Sequence, residues 1–128
     1  MTADKVWIVD DDRSIRWVLE KALMQEGLEA TTFEDAQTLL NKLAKDKPHA
    51  IVTDIRMPGI DGLTLLTKIR MEHPDLPVIV MTAHSDLDSA VSSYQGGAFE
   101  YLPKPFDVDD AINLVKRAIA HHHEQQKT

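Results

Sequence analysis

Cysteine is absent from the 128 residues, which excludes disulfides, thiolate metal sites and a cysteine nucleophile. Long apolar runs are missing too. The longest, residues 77–83, falls far short of the ~18–20 residues a membrane-spanning helix needs. The first five residues are polar and lead straight into an apolar run, so no signal peptide is expected and a cytoplasmic setting is. There is no internal repeat, low-complexity tract or Gly/Ser linker. Basic residues are in short supply, 14 against 21 acidic, for a net charge of −7. A domain this acidic is expected to bind neither nucleic acid nor an anionic membrane.

What remains is the composition of a soluble domain, with 43% hydrophobic and 27% charged residues, so wholesale disorder is not expected. At this length one hydrophobic core forms without staples. Short apolar runs alternate with helical periodicity. Strands are expected at residues 5–9, 28–33, 50–53, 78–82 and 99–102. Between them, Ile15, Val18, Leu19, Ala22 and Leu23 share one helical face, with Ser14 able to cap it and Gly27 placed to end it. Ala36, Leu39, Leu40 and Leu43 mark a second helix, and Leu63, Leu65, Leu66 and Ile69 a third. Leu87, Ala90, Val91 and Tyr94 mark a fourth, and Val108, Ala111, Ile112, Val115 and Ile119, capped by Asp107, a fifth. Strand–helix alternation implies an α/β fold with a parallel sheet covered by helices on both faces. In such sheets the functional crevice lies outside the carboxyl ends of the strands.

Those ends carry unusual chemistry. The first strand runs into Asp10, Asp11 and Asp12, the third into Asp54, the fourth into Thr82 and the fifth into Lys104. An Asp at one strand end is commonly a turn or cap residue, and Asp12 suits that role. Carboxylates, a hydroxyl and an ammonium converging on one sheet edge are a different matter. Clustered carboxylates repel unless they are protonated or bind a cation, and all-oxygen ligands suit Mg²⁺. With lysine and a hydroxyl in reach, such a site is built to accept or hold a phosphoryl group.

The segments VDDDRSIR, TDIRMPGIDG, MTAH and LPKPF resemble the receiver domain of two-component response regulators. Within that family, WIVDDD, IRWVLEKAL, DIRMPG, MTAHSDLD and GAFEYLPKPFDVDDA are most similar to receivers of nitrogen-assimilation regulators. The similarity runs from Val6 to about Ala120. It implies a flavodoxin-like doubly wound sheet of five parallel strands in the order 2-1-3-4-5, with residues 1–124 forming the receiver and 125–128 a tail toward output domains. It implies that Asp54 takes a phosphoryl group from a sensor histidine kinase in a Mg²⁺-dependent reaction. On the same likeness, Asp11 binds the metal directly, Asp10 through water, and Arg56 through its backbone carbonyl. The run of three aspartates leaves Asp12 as the alternative to Asp11. Lys104 would pair with the phosphoryl group and precede a cis bond to Pro105. Thr82 and Tyr101 would be the switch pair, and Ser14 and Phe106 would contact the kinase. The implied partners are the kinase, an ATPase output domain and, after phosphorylation, a second copy.

Helix four adds an argument from composition. Residues 85–97 hold four serines and two glycines, which are weak helix formers, so a few kcal/mol are expected to move this segment. Three other readings use the same residues. Asp10 and Asp12 have the D-x-D spacing of haloacid-dehalogenase-type phosphatases, although there is no room for a cap insertion. A flavin-binding domain shares the fold, but the acidic loop after the first strand is a poor phosphate cradle. A pseudo-receiver that only binds partners would have no need of Asp54, Thr82 and Lys104. The histidines at 121–123 read as a frayed helix end.

Overall fold

The structure is a computed structural model that describes residues 3–83 and 97–126. The elements follow one another as β1 (Lys5–Val9), α1 (Arg13–Gln25), β2 (Glu29–Phe33), α2 (Ala36–Leu43) and β3 (Ala50–Asp54). They continue as α3 (Gly62–Glu72), β4 (Val78–Thr82), β5 (Glu100–Pro103) and α4 (Val108–Gln126). The helix expected over 85–97 lies outside the described residues but for Gly97.

All five strands pair in parallel, in the order β2-β1-β3-β4-β5. The alternation of side chains along each strand divides the core in two. Trp7 and Val9 of β1 face one layer with Leu39 of α2 and Leu65, Leu66 and Ile69 of α3. Val6 and Ile8 face the other, with Leu19 and Leu23 of α1 and Ala111, Val115 and Ala118 of α4. Both faces being covered, β3 and β4 are buried along their whole length. Their runs AIVTD and VIVMT are accordingly apolar without alternation.

Several local expectations shift. Asp12, not Ser14, caps α1: its backbone is extended and its side chain accepts from the Ser14 N–H. An aspartate before the first helical residue is the stronger cap because its carboxylate reaches the free N–H groups of the first turn. Val18 is exposed rather than packed, since Leu19 and Leu23 already fill the inward stripe. At the carboxyl end, α4 runs through Gln126. His122 is buried there, its Nδ1 lying 3.3 Å from the Asp75 carbonyl, so tertiary contact extends the helix where the sequence reads as frayed. Among the described residues, no helix is long and apolar enough to cross a membrane.

Candidate functional site

Asp10 lies one residue past β1, Asp54 ends β3, Thr82 ends β4 and Lys104 follows β5. Parallel pairing brings these four ends to one edge. The Lys104 ammonium donates to Asp10 Oδ2 and to Asp54 Oδ1, 3.2 Å in each case. Its backbone N–H donates to the Thr82 carbonyl at 2.6 Å, and the Lys104–Pro105 peptide is cis. Asp10 is wholly buried, whereas the Asp54 and Lys104 side chains keep 11% and 21% of their surface, so the crevice opens on the Asp54 side.

Burial pushes the Asp10 carboxyl up to about 6. The Asp12 amide, which donates to Asp10 Oδ1 at 2.8 Å, and Lys104 oppose that rise, while Asp54 adds to it. Burial alone would depress the Lys104 ammonium. Asp10 and Asp54 outweigh it and hold the lysine above its ordinary value, so it stays charged.

Ligand atoms of Asp10, Asp11 and Asp54 lie within 4.8 Å of one another. Three carboxylates with one exposed member are a hard, all-oxygen donor set, which fits Mg²⁺. The third aspartate points elsewhere: Asp12 Oδ1 accepts from Ser14 N–H at 2.8 Å as the helix cap. Beside the acidic group a cleft of about 480 Å³ is lined by Asp11, Arg56, Met57, Pro58 and Asp61. The exposed side chain of Arg56 leaves its backbone carbonyl as the group the resemblance would use.

Thr82 is buried beside this cluster, whereas Tyr101 on β5 has an exposed side chain. Ser14 is exposed and shares a shallow, largely apolar groove with Arg13, Trp17 and Val18. Phe106 packs half-buried against the core layer of α1 and α4.

Two residues that lie in the motifs but receive no individual role from the sequence shape the site. Gly62 opens α3, and a Cβ there would lie 2.1 Å from the Asp54 carbonyl oxygen, so only glycine lets the helix start this close to β3. A glycine at the first position of a helix, where it is a poor helix former, is the clue. The other is Arg16, whose guanidinium reaches the Asp10 carbonyl. A cation in the first turn opposes the helix dipole, and that anomaly is legible in the sequence.

A second group with cation-binding spacing, Asp4, His49 and His123, lies at the opposite edge of the sheet. There His49 Nδ1 accepts from the Lys5 N–H at 2.9 Å, which leaves the proton of the neutral ring on Nε2, the atom facing Asp4. Metal-bound histidines donate from the second nitrogen, so this arrangement is the wrong one for a metal.

Comparison with known proteins agrees with the geometry. The family model described as response regulator receiver domain matches residues 6–116. The DNA-binding transcriptional regulator NtrC of Escherichia coli strain K12 is 63% identical over 122 residues, 95% of this chain and 26% of its own length. This chain thus spans about a quarter of such relatives. Solution structures of the NtrC receiver domain superpose on it, each at 61% identity. The apo form gives a TM-score of 0.87, covering 96% of this chain and 99% of the other. The BeF3-activated form gives 0.82, with 95% and 98% covered. Neither the phosphatase nor the flavin alternative is favoured, since Asp12 is occupied as a cap and no phosphate cradle follows β1. A sheet ordered β2-β1-β3-β4-β5 with acid, hydroxyl and ammonium at its carboxyl edge, matched along nearly its whole length, places this chain in the response regulator receiver domain family, as a receiver of the NtrC type.

Proposed function

We propose that Asp54 is the phosphoacceptor of this receiver and that Mg²⁺ and Lys104 support the transfer. The observation that carries this reading is the single ammonium lying 3.2 Å from both Asp10 and Asp54. An Asp54 carboxylate oxygen attacks the phosphorus of a phosphohistidine on the sensor kinase. The new O–P bond forms as the P–N bond breaks, and the departing imidazole nitrogen keeps the bonding pair and takes up a proton. Lys104 faces the phosphoryl oxygens as their charge concentrates in transfer. Mg²⁺, held by Asp11, Asp54 and the Arg56 carbonyl with Asp10 acting through water, would neutralise the same oxygens. Slow hydrolysis of the acyl phosphate returns the free carboxylate.

The output follows from what lies beside Asp54. The buried Thr82 hydroxyl moves toward the phosphoryl group, and Tyr101 turns inward to fill the space. The name of an NtrC relative, a DNA-binding transcriptional regulator, and its much greater length support an output domain beyond α4. The phosphorylated receiver would act on that domain, or pair with a second copy, in a cytoplasmic nitrogen-regulation pathway. Ser14 with the exposed Trp17, together with Phe106, would form the kinase-facing surface. The existence of a BeF3-activated form of a 61%-identical receiver supports a phosphoryl-type trigger.

The test is mass spectrometry after incubation with acetyl phosphate. One phosphoryl group that requires Mg²⁺, maps to Asp54 and is lost in Asp54→Ala is expected. An adduct on Asp10, or none together with no response to fluoroberyllate, would remove the reading.

A further inference from the structure

Asp10 is wholly buried, and each of its polar groups is held from a different direction. Its N–H donates to the Phe33 carbonyl of β2 at 3.2 Å. Oδ1 accepts from the Asp12 N–H, and Oδ2 from Lys104. The backbone carbonyl is the remaining group. It lies past the last β1–β3 pair, Val9 with Thr53, where the ladder no longer supplies a donor. Left alone in the interior such an oxygen is costly. Arg16 Nη1 of α1 donates to it at 2.6 Å. The Arg16 side chain is itself only 13% exposed, and Nη2 lies 3.9 Å from Glu34 Oε1. The guanidinium is therefore tethered on both sides.

The oxygen it holds belongs to the peptide joining Asp10 to Asp11. A peptide is planar, so fixing its carbonyl fixes the plane from which Asp11 departs. Asp11 is the exposed member of the acidic group, and its carboxylate has nothing of the packing that immobilises Asp10. We propose that Arg16 is a positioning residue for the cation site. By pinning the Asp10–Asp11 peptide it aims the Asp11 carboxylate at the point where Asp10 and Asp54 converge. The inference rests on the reading of that point as a Mg²⁺ site.

The charge of Arg16 and its hydrogen bond act with opposite sign. A cation near the acidic group repels Mg²⁺, whereas a fixed Asp11 favours it. Substitution therefore separates the two. Arg16→Met keeps an unbranched apolar stem and removes both charge and donor. Arg16→Lys keeps the charge and offers one donor in place of the planar fork. The measurement is a titration of the chain with MgCl₂, followed by the backbone amide shifts of residues 10–12, with amide hydrogen exchange of Asp12 recorded in EDTA. Arg16→Met is expected to weaken Mg²⁺ binding about 10–100-fold, the usual effect of removing a group that orients a ligand. Arg16→Lys should fall between Met and wild type, and the Asp12 amide should exchange faster in Met even without metal. Equal or tighter binding in Arg16→Met overturns the role of Arg16. Should Met fail to fold, Arg16→Lys decides, since a role in charge alone predicts wild-type affinity there. A wild-type chain whose 10–12 amides ignore Mg²⁺ overturns the cation-site reading first, and this inference with it.

Discussion

At the scale of single residues, the site is a balance between burial and charge at Asp10. The carboxyl ionises near its ordinary value, 3.8, when the chain is unfolded, but holds its proton up to about 6 in the fold. Between those values the folded state binds more protons than the unfolded one, so this group's contribution to stability falls as pH rises, and above about 6 the full cost is present. That cost corresponds to about 3 kcal/mol for the charged form. Asp10→Asn removes the charge and keeps an acceptor for the Asp12 amide. It is expected to stabilise the metal-free protein at neutral pH by about 1–3 kcal/mol, read as a higher melting midpoint in EDTA. No gain would show that Lys104 already compensates the charge. Asp12 is expected to behave differently. Asp12→Ala should cost about 1 kcal/mol through the lost cap while leaving Mg²⁺ affinity within a few-fold, a pair of readings from urea melts and Mg²⁺ titration. A large loss of affinity would give the metal contact to Asp12 instead of Asp11.

At the scale of elements, the approach of α3 to β3 sets the back of the crevice. The Gly62 N–H donates to the Ile55 carbonyl at 3.0 Å, and a methyl group at Gly62 would meet the Asp54 backbone. Neither partner is a flexible side chain, so the helix itself must move. Gly62→Ala is expected to cost about 1–3 kcal/mol by overpacking and to slow phosphorylation of Asp54 at the same time. A urea midpoint and the rate of adduct formation from acetyl phosphate check both effects. Loss of stability with an unchanged rate would show that α3 yields without disturbing Asp54. The neighbouring Gly59, at φ +80°, makes the turn that returns the chain to this helix, a conformation that favours glycine. The sequence announced that turn through Met57-Pro58-Gly59, but not how near the next helix would come.

At the scale of the whole molecule, the edge opposite the acidic site joins the two ends of the chain. His49, just before β3, accepts the Lys5 N–H on Nδ1 and donates its own N–H to the Lys5 carbonyl at 2.8 Å. The rings of His122 and His123 from α4 stand 5.6 and 5.3 Å from it. Burial lowers the pKa of His49, against the pull of Asp4 and with the help of His122, His123 and Lys5. A histidine depressed in the fold takes its proton first in the unfolded chain, near pH ~6.5. The stability it contributes is therefore complete above that value and is lost as pH falls through it. His49→Asn supplies an acceptor that does not titrate. Its stability relative to wild type, from urea unfolding at about pH 5.5 and about pH 7.5, is expected to improve at the acid end. An equal difference at both would mean that the ring is not the titrating group.

Much of this protein was readable one residue at a time. Apolar runs of strand length, helical spacing between them and acid, hydroxyl and lysine at the run ends determined the parallel α/β sheet and the edge where chemistry gathers. Local patterning carries that information because side-chain periods of two and near four are properties of the chain itself. The structure decided matters that depend on distance between separated segments. Lys104 reaches Asp10 and Asp54 across 94 and 50 residues, and Arg16 turns back to hold the Asp10 carbonyl. His122 becomes buried because Asp75 happens to lie beside it. Sequence determined which groups meet at the edge. Tertiary packing decided which of them point at one another, because aim depends on backbone planes and burial that no single segment contains.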